Sequence, residues 1–499
     1  MKRADAGPRT ALIVVIVVVC AELLRSFVFL RFEQLAFDSD QAITGLMAKH
    51  LVEGRAFPLF FYGQTYLLAV ESWVAAPFFA IFGPTVTALR LSLLAWNIAF
   101  ATLAILILYR QSSLKLWSAI VPLLFFLLPP PSIAVQLMNA QGAIVEPYVF
   151  IAALWLLRDR PLWFGVLFAI GFRNREFVAY AIPALLVVEL LSGEVDRNRV
   201  RDWLIATVAF AAVWQAVEAL KPVADLMGPG TRGRFVESFP ASQLTNLANR
   251  FDFAPGLLPQ RARLLAPRIA EWFTGARQVG SSLPIPEHPW ITFVATAFAL
   301  LASARLAVLL LAPRRSEAPW RTAVAGRVRT ADFGLYLTGA GLVAIVVFIA
   351  GRPALDGVAR YVLVGLLLPI GLVASLLALE PSRIVRIAIG GLVAAWALIM
   401  AGDHVALLRS YTRNPETNDR QLVADQLVSD GISTATAGYW DAYVITFLAR
   451  ERLTVASKDF VRIDEYQETF LERIASAVII SDRPCGQGRP IGRFYICAP

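Results

Sequence analysis

Long apolar runs separated by short polar connections dominate residues 1–401 of the chain. The first run, residues 11–30, would extend about 30 Å as an α-helix, which matches the hydrocarbon thickness of a bilayer. It is longer than a signal-peptide core and no small-residue cleavage site follows it, so it predicts a retained transmembrane helix. Further runs of suitable apolarity lie at residues 88–109, 116–130, 143–157, 161–172, 177–191, 203–220, 291–312, 333–350, 361–379 and 384–401. The pattern predicts a polytopic α-helical membrane protein with about 11 transmembrane helices.

Residues 402–499 follow a different pattern, in which amphipathic segments alternate with short runs of β-forming residues. Four of these runs are STATAGY, RLTVAS, SAVIIS and RFYICA. Such alternation predicts a small α/β domain. The expected organisation is therefore a transmembrane domain over residues 1–401, with large loops at 31–87 and 221–290, followed by a C-terminal α/β domain over residues 402–499.

The composition excludes a water-soluble globule, because 57% of the 499 residues are hydrophobic and only 17% are charged. Lys and Arg collect in alternate short connections, which is the pattern of cytoplasmic loops. The N-terminus is therefore predicted to be cytoplasmic. An odd number of spans then puts the C-terminal domain and both large loops on the outer side. The net charge of +9 follows from this Arg bias, so we expect no nucleic-acid partner.

Cysteine and histidine give little support to a metal site. The three His residues are widely separated along the chain, which argues against a His-based metal site or a catalytic triad. No dense acidic cluster demands a divalent cation, and we assign no metal ligand. Cys485 and Cys497 both fall in the C-terminal domain; the sequence leaves open whether they form a disulfide or remain free thiols.

Two carboxylates, Asp38 and Asp40, follow the first apolar run in the segment FDSDQAITGLMAKHL. Apolar residues recur after them at helical spacing, which predicts an interfacial helix lying on the membrane. Asp38 with Gln41 three residues later is a candidate capping pair for that helix. Asp40 would lie in the first turn, where an acid is commonly stabilised by the helix dipole. An active-site role is the alternative for both carboxylates.

Two more acids lie next to apolar sequence on the predicted outer side, Glu71 in AVESWVAAPFF and Glu146 in NAQGAIVEPYVF. Ionisable groups in such surroundings are costly and usually have a partner or a task. Both residues are candidates for a second catalytic carboxylate. A structural hydrogen-bond acceptor at a helix start is the alternative for Glu71.

Four arginines on the outer ends of predicted spans are candidates to bind a phosphate. Guanidinium groups bind phosphate oxygens with two parallel hydrogen bonds, which favours Arg in this role. These candidates are Arg173, Arg175, Arg352 and Arg360. Ordinary pairing is the alternative, for example Arg175 with Glu176. Tyr62 and Tyr66 belong to an aromatic group that would line a substrate groove or form an interfacial aromatic belt.

The opening segment resembles a known family. FDSDQAITGLMAKHLVEG followed by FPLFFYGQTY, ESWVAAPFFAIFG and ALRL is similar to the first outer loop and second span of the GT-C glycosyltransferases. The likeness is to the bacterial branch related to protein O-mannosyltransferases and lipid A aminoarabinose transferases. GRPALDGVARYVLVGLLLPIGL resembles the family's late Arg-Tyr segment, and GYWDAYVITFLARERLTVAS resembles the outer domain of relatives. Family members commonly carry Asp-Glu where this chain has Asp40-Gln41, so the matching acid is Asp40.

The resemblance implies an inverting glycosyltransferase of the bacterial inner (plasma) membrane. Its donor would be a sugar linked to a polyprenyl phosphate, and Asp40 would be the general base that activates an acceptor hydroxyl. The acceptor would be a glycan, a lipid or a protein. No cofactor is expected beyond the lipid-linked donor, and the sequence leaves a divalent cation open. The competing interpretations are a transporter or flippase for lipid-linked glycans and an O-antigen ligase or polymerase.

Overall fold

The computed structural model describes residues 8–112, 114–142, 144–230, 245, 254–274, 283–284, 288–312, 319–351 and 362–498. Within these residues the protein is mostly helical. The helices, in chain order, are α1 Pro8–Arg31, α2 Ser39–Val52, α3 Val70–Phe82, α4 Val86–Gln111, α5 Leu116–Leu127, α6 Pro131–Leu137, α7 Glu146–Leu157, α8 Pro161–Asn174, α9 Ala181–Ser192, α10 Arg197–Leu220, α11 Leu258–Thr274, α12 Pro289–Leu311, α13 Trp320–Thr330, α14 Asp332–Ala350, α15 Leu367–Leu379, α16 Arg383–Arg413, α17 Asp419–Ser429, α18 Tyr439–Leu448 and α19 Asp464–Glu472. The strands are β1 Phe60–Phe61, β2 Gln64–Leu68, β3 Thr434–Ala437, β4 Thr454–Ser457, β5 Val478–Ser481, β6 Arg489–Ile491 and β7 Phe494–Cys497.

Six helices in the described part of the chain are long and apolar enough to cross a membrane. They are α1, α4, α10, α12, α14 and α16. Helices α5 and α6 together make a seventh candidate, bent by 88°. The number eleven is therefore not confirmed by length and composition. Four of the predicted runs, 143–157, 161–172, 177–191 and 361–379, contain α-helices of only 12 to 14 residues, shorter than the roughly 20 residues that a straight span needs.

The long helices expose large apolar side chains on their outer surfaces. Val208 on α10 is 70% exposed, Phe293 on α12 is 78% exposed and Ile384 on α16 is 80% exposed. Apolar exposure on this scale is unfavourable in water and favourable against lipid tails. The surface therefore agrees with a multi-pass membrane protein.

Buried arginines fix the first helices to one another. Arg25 in α1 forms an ion pair with Glu22 at 2.6 Å and donates to Oδ1 of Asn97 in α4 at 2.6 Å. Arg90 in α4 donates to the backbone carbonyl groups of Phe29 and Leu35. These bonds hold the end of α1 and the connection that leads into α2, so they fix where Asp38 emerges.

Helix α2 is buried and does not lie on a membrane surface as an interfacial helix. Its residues from Gln41 to His50 are buried, including the polar ones. Helix α3 covers one side and the C-terminal helix α18 covers another; a Cβ atom on Gly45 would lie 2.6 Å from the ring of Phe447 in α18. The sequence shows one apolar face of α2, but it cannot show that a segment about 400 residues later covers the opposite face.

The C-terminal residues form a five-stranded mixed sheet in the order β4-β3-β5-β7-β6. Strand β3 is parallel to β4 and to β5, whereas β7 is antiparallel to β5 and β6. Each of the four β-type runs seen in the sequence contains one strand, and β6 is an additional strand. Cys485 and Cys497 form a disulfide, with their Cα atoms 6.1 Å apart. This C-terminal unit, residues 419–498, is called the tail below.

Candidate active site

Asp40 lies in the first turn of α2, where the tail meets the first loop. Its Oδ1 accepts a hydrogen bond of 2.6 Å from the phenol of Tyr439, the first residue of α18. The adjacent Ser39 hydroxyl donates to the backbone carbonyl of Tyr439. A segment at the start of the chain and one near its end therefore form this corner of the site together.

Asp38 caps α2, since its side chain accepts a hydrogen bond of 3.2 Å from the backbone N–H of Gln41. The reciprocal bond of a capping box, in which the Gln41 side-chain oxygen would accept from the Asp38 backbone N–H, is absent, since that oxygen accepts no hydrogen bond from the described residues. The Gln41 amide nitrogen donates to the Ala36 carbonyl. Gln141 donates to the other oxygen of Asp38. Burial, and then the nearby charge of Asp40, raise the pKa of Asp38 to about 6.

The raised pKa of Asp38 gives a stability prediction with a defined sign. The folded protein binds the Asp38 proton more tightly than the unfolded chain, whose value is near 3.8. The free energy of unfolding should therefore decrease as pH rises from about 4 to about 6, and stay lower above that. Asp38→Asn removes the pH-dependent contribution of Asp38 to the free energy of unfolding and keeps the helix cap. We expect the variant to gain about 2 kcal/mol over the wild type between pH 4 and pH 7.

Thermal unfolding of both proteins in the same detergent, measured across this pH range, checks the prediction. The difference between the two melting temperatures is the quantity to follow, because groups that do not interact with Asp38 titrate equally in both proteins. A melting-temperature difference that stays constant from pH 4 to pH 7 would contradict a raised pKa of Asp38.

Glu71 and Glu146 lie together, beside the segment that carries Gln141. The backbone N–H of Gly142 donates to Oε2 of Glu71 at 3.0 Å, and the Glu71 carboxyl adjoins that of Glu146. Both glutamates are buried, at 4% and 0% exposure. Gln141 bonds to Asp38 while its neighbour Gly142 bonds to Glu71, so two consecutive residues link the first pair of acids to the second.

Hydrogen bonds from side-chain hydroxyls to backbone carbonyls hold residues 140–142 against α2. The Thr44 hydroxyl donates to the Ala140 carbonyl at 3.0 Å, and the Ser72 hydroxyl donates to the Thr44 carbonyl at 3.1 Å. Helix α2, the start of α3 and residues 140–142 are thus tied to each other within one turn of α2. All four acids that the sequence offered as catalytic candidates belong to this connected region.

The two candidate arginines at the end of α8 have different surroundings, Arg173 in its last turn and Arg175 directly after it. Arg175 lies close to the acids, since its charge acts on Glu146 and its Nη1 lies 3.7 Å from where a Cβ atom of Gly142 would be. Its Nε is 3.8 Å from Oε2 of Glu176, which is the pairing weighed from the sequence. Arg173 instead pairs with Glu218 and its guanidinium lies 4.4 Å from the ring centre of Trp214. The structure brings Arg175, and not Arg173, to the acidic region.

The remaining sequence candidates divide into two groups. Arg352 and Arg360 lie outside the described residues. Tyr62 and Tyr66 are buried, at 0% and 6% exposure. The Tyr62 hydroxyl is 3.2 Å from Nδ1 of His50, so this tyrosine is part of the packing around α2 and does not line an open groove in this conformation.

The tail contributes residues that the sequence alone did not single out. Tyr439 bonds to Asp40, and Arg462 lies beside Tyr439, with its guanidinium 6.0 Å from the ring centre. Arg462 also donates to the Gly63 carbonyl at 3.2 Å, which ties it to the turn between β1 and β2. The only sequence signal for Tyr439 was its position in the GYWDAYVITFLARER segment, and nothing there indicated a partner 399 residues away.

A second group of tail contacts surrounds Glu451, at the other end of α2. Its carboxylate accepts from Lys49, from Arg55 at 3.0 Å and from Tyr466 at 2.7 Å, and it lies 3.0 Å from Nε2 of His50. Burial alone would raise the pKa of Glu451, but the bonds and charges of His50 and Lys49 outweigh it and lower that pKa below its usual range. We refer to Glu451 with Lys49, His50, Arg55 and Tyr466 as the Glu451 cluster.

No three His, Cys, Asp or Glu side chains within the described ranges are arranged to hold a metal ion. The side chains at the site offer acid–base chemistry: the Asp40 carboxylate in the first turn of α2 can accept a proton, and the Tyr439 phenol donates a hydrogen bond to it. Arg175 lies near the carboxyl groups of Glu71 and Glu146.

The fold and the site define a polytopic, mostly helical protein with a buried group of acids where its first loop meets its tail. No family model matches the sequence, and no curated protein matches it significantly. The structure is similar to two crystal structures of ArnT from Cupriavidus metallidurans, over 99% of this chain and 98% of each ArnT chain. One is bound to undecaprenyl phosphate, with a TM-score of 0.45 and 12% identity. The other is in the apo state, with a TM-score of 0.44 and 11% identity.

Both similarities have TM-scores below 0.5 and identities of 12% or less. The roles given below to individual residues rest on the contacts within this chain.

Proposed function

We propose that the protein is an integral-membrane glycosyltransferase that moves a sugar from a polyprenyl-phosphate donor to an acceptor hydroxyl. Transfer would take place at the outer face of a bacterial inner membrane. The convergence of Asp38, Asp40, Glu71 and Glu146 in one connected region supports this function most directly. Asp38 and Asp40 belong to the segment whose pattern resembles GT-C enzymes. Glu71 and Glu146 lie in the first turns of α3 and α7.

The proposed reaction is a single displacement at the anomeric carbon. The acceptor oxygen forms a bond to that carbon as the bond between carbon and phosphate oxygen breaks, and the Asp40 carboxylate takes the hydroxyl proton. The electron pair of the broken bond leaves with the polyprenyl phosphate. Cationic side chains near the leaving group would stabilise its added charge; Arg175 is the described candidate, and Arg352 and Arg360 are the candidates outside the described residues.

A donor anchored by a polyprenyl chain explains why the acids lie where they do. Its reacting carbon is confined to the membrane surface, so the base must be held at the ends of the spanning helices. Asp40 is fixed there by the cap at Asp38 and by the buried Arg90 contacts that position the preceding connection.

Deleting the gene tests this function whichever sugar is transferred. Mass spectrometry of the lipid extract should show accumulation of a polyprenyl monophosphate that carries one sugar. The cell-envelope glycans or glycolipids should lose that same sugar. Wild-type protein in lipid nanodiscs, given the accumulated lipid and deletion-strain envelope as acceptor, should release free polyprenyl phosphate.

The same transfer assay separates the competing functions. A transporter or flippase would leave the sugar attached to its lipid, and a ligase or polymerase would use a diphosphate-linked glycan. Either result, or a deletion strain with unchanged lipids and glycans, would refute the proposed transfer.

The orientation of the tail gives a separate prediction. We expect Ser429→Cys in a background that lacks Cys20 to react in spheroplasts with a membrane-impermeant maleimide, because Ser429 is exposed on the tail. The Cys485–Cys497 pair is oxidised and does not react. Arg201→Cys is the matched control, since Arg201 has 66% side-chain exposure at the Arg-rich start of α10, the end of that helix predicted to be cytoplasmic. Labelling of Arg201→Cys alone would put the tail in the cytoplasm, away from the proposed donor.

A further inference from the structure

Tyr439 is held more firmly than its position at the start of a helix requires. Its backbone N–H donates to Oδ2 of Asp459 at 3.0 Å, and its carbonyl accepts from the Ser39 hydroxyl. The rings of Tyr443 and Phe460 pack edge-on against it, with centroids at 5.6 Å and 5.8 Å. Tyr439 is 5% exposed, and its hydroxyl donates to Asp40 in α2.

The hydroxyl points at Asp40 as a donor. Burial, and then the negative charge of Asp40, raise the pKa of Tyr439 well above its ordinary value. The phenol therefore stays protonated at physiological pH. A protonated phenol at 2.6 Å from a carboxylate oxygen makes a charge-assisted hydrogen bond.

Orientation of the carboxylate matters for a general base. Proton transfer requires a lone pair of the base within hydrogen-bond reach of the attacking hydroxyl, and a displacement of about 1 Å is enough to cost a large part of the rate. The short Asp side chain can rotate about its last torsion unless a partner holds it. Tyr439 is such a partner, and it belongs to a different part of the chain.

We propose that Tyr439 is a positioning residue for Asp40, and hence that the tail is an integral part of the active site. The inference rests on the proposed function, because it assumes that Asp40 is the base. It adds a residue and a second structural unit to the reaction: the membrane part supplies the base and the tail fixes the orientation of that base.

The test is Tyr439→Phe, which removes the hydroxyl and keeps the ring packing. In the transfer assay with purified full-length protein, we expect kcat to fall about 10- to 100-fold, the range for losing a hydrogen bond to a charged group. The KM for the donor lipid should change less than about twofold, because the bond acts on the base and not on the bound lipid.

Tyr466→Phe is the matched control. Its phenol also donates to a buried carboxylate between tail and α2, that of Glu451 at 2.7 Å, but it does not contact Asp40. If Tyr439 only helps to dock the tail, both variants should lose activity and melting temperature together, and the proposal is overturned. If Tyr439→Phe alone loses kcat, with a melting temperature no lower than that of Tyr466→Phe, the proposal is supported.

Asp40→Asn separates failure of this inference from failure of the proposed function. An inactive Asp40→Asn together with a fully active Tyr439→Phe would refute the positioning role alone. An active Asp40→Asn would refute the role of Asp40 as base, and the positioning role with it.

Discussion

Asp40→Asn should reduce the rate of sugar transfer by about 10²- to 10⁴-fold, the usual contribution of a general base. The amide keeps the shape of the carboxylate and can still accept a hydrogen bond from Tyr439, but it cannot take a proton at neutral pH. The loss should therefore appear in kcat, with the KM for the donor lipid nearly unchanged, since the missing interaction belongs to the transition state.

Asp38→Asn is the control for this change. It makes the same substitution two residues away, and Asn caps a helix about as well as Asp. We expect this variant to keep most of its activity. A residual rate above about one tenth in Asp40→Asn would be too high for loss of a general base. Glu71→Gln and Glu146→Gln would then be the next variants to measure, since these carboxyls adjoin each other in the same region.

Glu451→Ala should loosen the tail from α2 by about 3 kcal/mol, the lower end of the cost of breaking a buried ion pair. Lys49 is 8% exposed and His50 is 0% exposed, so both lose a carboxylate partner at a buried position, although Lys49 keeps its ion pair with Glu53 at 2.8 Å. Arg450 and Glu451 both have positive φ, at 53° and 61°, a backbone conformation that costs free energy in residues other than glycine. Alanine at 451 keeps that backbone cost, so the substitution isolates the loss of the carboxylate.

Hydrogen–deuterium exchange at the α2 amides measures this loosening. A change of about 3 kcal/mol should speed exchange roughly 100-fold, if α2 exchanges by release of the tail. Glu465→Gln is the control, because Glu465 also pairs with Arg55 but its side chain is 38% exposed; such pairs contribute about 0–1 kcal/mol. Equal exchange in the two variants would mean that the Glu451 cluster does not hold the tail.

The pH dependence of this contact has a definite direction. The fold lowers the pKa of Glu451 below its ordinary value of 4.5. The stabilisation is therefore complete above that value and is lost as pH falls through the acidic range. Asp38 has the opposite sign, so the two residues can be told apart in a pH series.

Local features of this protein follow directly from local sequence. The cap at Asp38 needs only an acid before a helix and a backbone N–H three residues later, and the structure has that bond. The long spanning helices follow from apolar runs of sufficient length, and each β-type run in the tail contains a strand. In each case, the interactions that determine the structure lie within a single helix or strand and the residues next to it.

The site could be predicted only in part, because its contacts are long-range. The resemblance directed attention to Asp40, and the apolar surroundings did so for Glu71 and Glu146. Nothing local shows that Gln141 and Gly142 join those acids to Asp38, or that Arg175 approaches them while Arg173 turns to Glu218. The burial of α2 was missed for the same reason, since the covering helix is encoded in the tail.

The distance along the chain between α2 and its cover has a consequence for biosynthesis. Tyr439 follows Asp40 by 399 residues, which at about 5–20 residues per second takes a ribosome roughly 20–80 s to synthesise. During that interval Lys49 and His50 have no Glu451 to contact, and the polar side of α2 faces water or lipid headgroups. A nascent chain stalled before residue 439 should therefore expose α2 to proteases. A chain terminated at that point should be degraded.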